Sequence, residues 1–181
     1  MNILMQQAIE IAKESGADVP VGALIIKDGK IIASAHNERE KLNDPSAHAE
    51  ILAIRQAANS LNNWRLDDCE LYVTLEPCPM CAWAIIQSRI KTVYFGSFDS
   101  QYGALGSVLD LRKLGNSTNL SPHPNQPLKN RYLTDSLGRV PQGREGKTQK
   151  IKVYGGILEE ECDNIIKEFW KKSRVRPTHQ E

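Results

Sequence analysis

At 181 residues and 20.3 kDa, the chain is sized for one domain with a buried core. Its 40% hydrophobic and 25% charged residues exclude a wholly disordered or fibrous chain, and a net charge of +1 advertises no polyanionic partner through its overall field. No apolar run approaches the ~20 residues of a membrane span, and four cysteines are too sparse for a disulfide scaffold, so a reducing, cytoplasmic setting is expected.

The first sixteen residues, MNILMQQAIEIAKESG, place charges and glutamines where a signal peptide would be apolar. They read as a short amphipathic helix with Leu4, Ala8, Ile11 and Ala12 on one face. Two strands follow, Val21 to Asp28 and Lys30 to Asn37, joined by the hairpin signal Asp28-Gly29. After the polar loop EREKLNDP, helical spacing of Ile51, Leu52, Ile54, Ala58 and Leu61 predicts a helix over 46–61, with Ser46 as its N-cap.

Residues 69–76, CELYVTLE, form a nearly continuous apolar strand, the pattern of a strand covered on both faces. Pro77 suits the first position of the next helix, which carries CPMCAWAIIQSRI. A strand over 92–98, a helix over 106–114, a strand in KIKVYGG and a final helix in ILEEECDNIIKEFWKK complete the series. Leu158, Cys162, Ile165, Ile166 and Phe169 make the apolar stripe of that last helix. The order predicts one α/β domain, a sheet that starts with a hairpin and carries helices on both faces.

Residues 113–149 break the pattern. They contain four prolines and four glycines, and six basic against two acidic side chains, with no periodicity. A segment this long without structure of its own is a surface insertion or a basic flap for a nucleic-acid backbone.

The stretch EPCPMC at 76–81 sets two cysteines three apart at a predicted helix start, where both sulfurs can reach one point. Such a pair serves as a metal clamp, a redox couple or two small core residues. The helix N-terminus favours the thiolate that a metal needs. Cys69 lies a strand's length away and Cys162 falls in an apolar stripe, so neither is a good third ligand. His48, in PSAHAEILAIR, also lies at a predicted helix start, behind a loop able to aim its ring. One His and two Cys leave a fourth position open, the layout of a catalytic zinc that activates water at neutral pH. Glu50 suits a proton carrier beside that water, provided that His48 sits at the edge of the first turn; a glutamate there also complements the helix dipole. A thioredoxin-like redox pair leaves His48 and Glu50 unexplained.

HAE at 48–50 with PCPMC at 77–81 fits the H-x-E…P-C-x-x-C signature, and the chain resembles the zinc-dependent nucleoside and nucleobase deaminases. VPVGALI, the Asn of AHN, DPSAHAEILAIR, LYVTLEPCPMC, SRIKTVYFG and YGALGS resemble the bacterial tRNA-specific adenosine deaminase branch, over about 5–114 and again from 150 to about 174. The resemblance implies a three-layer α/β/α cytidine-deaminase-like fold with a central mixed five-stranded sheet. It implies a single deaminase domain over 1–174, the insertion at 113–149 within it and a tail at 175–181. It also implies one zinc per chain on His48, Cys78 and Cys81, Glu50 as proton shuttle, Asn37 on the flipped nucleotide and Asp99 on neighbouring RNA. The implied substrate is the wobble adenosine of a tRNA anticodon stem-loop, and the implied assembly a homodimer, with no membrane or DNA partner. A free-base deaminase for guanine or cytosine would share both motifs, and a non-catalytic zinc-stabilised RNA-binding subunit would not need Glu50. Phe98 departs from the branch, whose members often carry a basic residue there, although an aromatic ring stacks on bases.

Overall fold

The computed structural model describes residues 1–116 and 151–173. Its secondary structure runs α1 (Asn2–Ala12), β1 (Gly22–Lys27), β2 (Lys30–His36), a single turn α2 (Arg39–Leu42) and α3 (Ala49–Ser60). Then come β3 (Glu70–Leu75), α4 (Pro79–Gln87), β4 (Thr92–Ser97), β5 (Lys152–Tyr154) and α5 (Glu159–Ser173). Most of the expected insertion at 113–149, and the tail at 175–181, lie outside the described residues. Among the described residues no helix is long and apolar enough to cross a membrane.

Five strands form one mixed sheet in the order β2-β1-β3-β4-β5. β1 pairs antiparallel with β2 and β3, and β3–β4 and β4–β5 are parallel. Asp28 and Gly29 both take positive φ, 50° and 73°, the geometry of a tight hairpin turn that matches the twist of its strands. Alternation along β1 sends Ala23 and Ile25 to one face and Leu24 and Ile26 to the other. The first face packs under α3 and α4 with Ala49, Ala53, Ala82 and Ile85; the second packs under α1 and α5 with Met5, Ala8, Ile9 and Cys162. Full burial of Leu24 and Ile25, one on each face, stabilises by about 1.5–3 kcal/mol apiece. The fold is the three-layer α/β/α arrangement that the sequence implied.

Several details differ from the sequence reading. α1 buries Met5, Ala8, Ile9 and Ala12, so its apolar stripe is turned from the expected one, and Leu4 and Ile11 lie at its margin. Ser46 does not cap α3: its N–H and hydroxyl both donate to Asp44 Oδ1 at 2.7 Å, and the N-cap is His48. Pro79, not Pro77, takes the first helical position of α4. β5 keeps three residues because Gly156 turns at φ 79°, and α5 begins after Leu158, at φ 52°.

The expected helix at 106–114 is also absent. Residues 103–109 are irregular, with turns at 104 and 106–107; Leu105 bridges Asp110, and a 3-10 turn spans Leu111–Asn116. The N–H groups of Leu105 and Ser107 are drawn to the Glu76 carboxylate instead of entering a helical ladder.

Candidate active site

The two helices on the first face of the sheet begin at the same place. His48 is the N-cap of α3 and Cys78 the N-cap of α4, both with extended backbone, so each side chain projects from a helix start. An N-cap side chain ordinarily occupies itself with the N–H groups of its own first turn. The His48 side chain makes no such cap bond, and beside it Asn37 Oδ1 accepts the Ala49 N–H at 2.9 Å while Asn37 Nδ2 donates to the Val19 carbonyl at 2.8 Å. His48 Nδ1 faces the cysteines, 3.5 Å from Cys81 Sγ and 3.9 Å from Cys78 Sγ.

The three donor atoms lie within 4.8 Å of one another, and among the described residues they are the one such group of His, Cys and acidic side chains. A tetrahedral zinc with Zn–S near 2.3 Å and Zn–N near 2.0 Å sets sulfur and nitrogen about 3.6 Å apart. The observed spacings fit that ion. Cys69 and Cys162 are buried in the core, away from this group, and all four cysteines are free thiols.

Glu50 is 4% exposed and lies beside the trio. Because His48 is the N-cap, two residues that an ideal helix would hold apart share one site. Burial raises the Glu50 carboxyl to about 7. The Cys81 thiol donates to the Cys78 sulfur and lowers it to about 4, and Cys81, holding the proton, is raised. His48 is raised by its hydrogen bond with Cys78, against the opposing effect of burial. A dication between these groups would stabilise both thiolates and pull Glu50 down.

Above the trio opens a cleft of about 850 Å³. Its floor includes His48, Glu50, Cys78 and Asn37; one wall is the segment 98–102, and the other is α5 with Asp163, Ile166, Lys167 and Trp170. Phe98, Tyr102 and Trp170 stand 49%, 64% and 50% exposed, three rings on the rim. Arg39 adds a second cation to Lys167. Asp99 lines the same cleft, with Oδ1 accepting from the N–H groups of Gln101 and Tyr102 at 2.8 and 3.0 Å. α5 is tied to the end of β4 by the Ser97 hydroxyl, which donates to Asp163; Lys167 Nζ donates to the other oxygen at 3.1 Å. A Cβ at Gly96 would collide with Cys162 Sγ, so this close approach requires glycine.

The zinc-binding region of cytidine and deoxycytidylate deaminases matches residues 2–97, a span that contains His48, Glu50 and both cysteines of the trio. The chain belongs to this deaminase family. Its cofactor is zinc, and it is a hydrolytic deaminase. It is 36% identical to the tRNA-specific adenosine deaminase of Bacillus subtilis over 176 residues, covering 96% of this chain and 91% of the relative. A solved structure of a tRNA:A34 deaminase, from work on A-to-I editing at the wobble position, superposes with a TM-score of 0.70 at 32% identity, covering 91% of this deaminase and 99% of that chain. The guanine deaminase structure from Bacillus subtilis gives a TM-score of 0.53 at 29% identity, over 99% of this deaminase and 96% of that chain.

Two site features escaped the sequence reading. Glu76 belongs to the quoted EPCPMC, and a carboxylate ending an apolar strand was its signal. The Ser97–Asp163–Lys167 chain had none, because its first two members are 66 residues apart.

Proposed function

We propose that this deaminase converts the wobble adenosine of a tRNA anticodon loop to inosine, with zinc held by His48, Cys78 and Cys81. The observation that carries the reading is the cleft above the buried Glu50: three exposed rings and two cations on the rim suit stacked bases and phosphates. A pocket for one free base would need no such rim. The zinc, when bound, activates water as the nucleophile.

Every other task falls to the chain. Water adds through its oxygen to purine C6, and Glu50 takes its proton and gives it to N1. Glu50 then carries the second proton to the exocyclic amine, the C6–N bond breaks, and ammonia leaves. Buried at 4% exposure beside the trio, the Glu50 carboxyl is screened from bulk water and placed to take a proton on one side and return it on the other. Asn37 spends Oδ1 on Ala49 and one Nδ2 hydrogen on Val19, which leaves its second Nδ2 hydrogen for the flipped nucleotide. Asp99, on the cleft wall, meets the neighbouring RNA.

A homodimer in the cytoplasm completes the proposal. Met80 and Trp83, 40% and 45% exposed, stand on the outer side of α4 and offer an apolar patch for a second copy. The deciding experiment compares an anticodon stem-loop carrying a wobble adenosine with free guanine, cytosine and adenosine, using zinc-replete protein. Inosine in the stem-loop alone is expected. Ammonia from a free base, with the stem-loop untouched, would replace the RNA assignment with a free-base one.

A further inference from the structure

Glu76 follows the last residue of β3 and stands two residues before Cys78, yet it is 2% exposed. A carboxylate so deeply buried must have all its oxygens occupied. Oε1 accepts the N–H groups of Leu105 and Ser107, each at 3.1 Å. Oε2 accepts the Asp99 N–H at 3.2 Å and the Ser107 hydroxyl. The Ala104 N–H donates to the Pro77 carbonyl at 3.0 Å, beside this cluster. The segment 99–107 therefore wraps the carboxylate closely, and a Cβ at Gly103 would strike it.

We propose that Glu76 is a positioning residue for substrate recognition: through the Asp99 N–H it sets where the segment 98–102 stands over the metal-binding trio. The proposal rests on the reading that the cleft receives an RNA nucleotide. One turn of chain thus governs two things. Cys78 faces the metal from it, and Glu76 holds the wall that carries Phe98, Asp99 and Tyr102.

Glu76→Gln tests this selectively. The side-chain amide keeps one acceptor oxygen, and the backbone N–H groups of Leu105 and Ser107 cannot turn away, so the oxygen stays with them. The NH2 group then faces the Ser107 hydroxyl, which rotates to accept, and the Asp99 N–H is left without a partner. Damage should fall on the substrate-facing end.

The measurements are zinc content, steady-state kinetics on the anticodon stem-loop, and hydrogen exchange of individual amides. Expected for Glu76→Gln are about one zinc per chain, kcat within about threefold of wild type and KM raised about 10–100-fold. The Asp99 amide should lose protection while those of Leu105 and Ser107 keep it. Unchanged KM, lost zinc, or unchanged Asp99 protection would overturn the proposal. Should that variant not fold, Glu76→Asp draws the carboxylate back by one methylene from the Asp99 N–H; the Asp99 amide should lose protection and KM should rise at constant kcat, and the absence of both changes would overturn the proposal equally. Wild-type protein that leaves the stem-loop unreacted would sink the RNA reading, while the exchange experiment, needing no substrate, still decides the role of Glu76.

Discussion

Asn37 meets the start of α3 from twelve residues before it: its Oδ1 accepts the Ala49 N–H at 2.9 Å. This contact ties the end of β2 to the start of the helix that carries Glu50, beside the His48 ring that faces the two sulfurs. Asn37→Ala should cost about 1–2 kcal/mol of stability, the usual loss when a helix cap is removed. Urea denaturation checks it, and unchanged stability would mean that water replaces the side chain without cost.

Glu50→Ala should fold and keep zinc at about one per chain, since the three donors are untouched, while turnover falls about 10²–10⁴-fold. Metal analysis beside single-turnover kinetics separates the two effects. A rate near wild type would remove Glu50 from proton transfer.

Cys78→Ser should leave only two donors of the trio able to bind zinc well, and metal content should fall well below one per chain. Chelation of the wild-type protein should abolish activity, and added zinc should restore it. Activity that persists without metal would contradict the assignment of the trio.

Trp83→Glu places a charge in the centre of the exposed α4 patch, beside Met80. Sedimentation should show a shift from dimer toward monomer, with the far-UV spectrum unchanged. An unaltered dimer would place the interface elsewhere.

Asp110 is held below the usual carboxylate range by Arg112, whose Nε and Nη2 donate at 2.7 and 2.9 Å. A lowered folded-state value gives stability that is present above the unfolded value near 4 and is lost as pH falls through the folded one. Asp110→Asn should therefore cost about 1 kcal/mol at pH 7 and little near pH 2, a figure kept small because Arg112 is one-third exposed. Denaturation at both pH values reads the difference.

Much of the core was legible because it follows local periodicity. The strand at 70–75 and the cysteines at α4 were placed by a nearly continuous apolar run and by the three-residue spacing of the sulfurs, both properties of neighbouring residues. The helix expected at 106–114 was misread for the opposite reason. Its own residues suit a helix, but a carboxylate 29 residues earlier takes the N–H of Leu105.

The sequence by itself determined which chemistry was available: a His, two cysteines and a glutamate of the right types, each at a helix start, in a chain patterned for a sheet between two helical layers. Only the tertiary structure decided that they meet. β1 and β3 lie side by side in the sheet, and α3 and α4 cover the same face, so His48 and the sulfurs thirty and thirty-three residues later come within 4 Å. The same packing decided that Asn37 caps α3, that Glu76 holds the cleft wall and that Asp163 fastens α5. Spacing along a chain encodes contacts within a turn or a strand. Hydrogen bonds between distant segments depend on strand order and register, which are settled only when both faces of the sheet are buried.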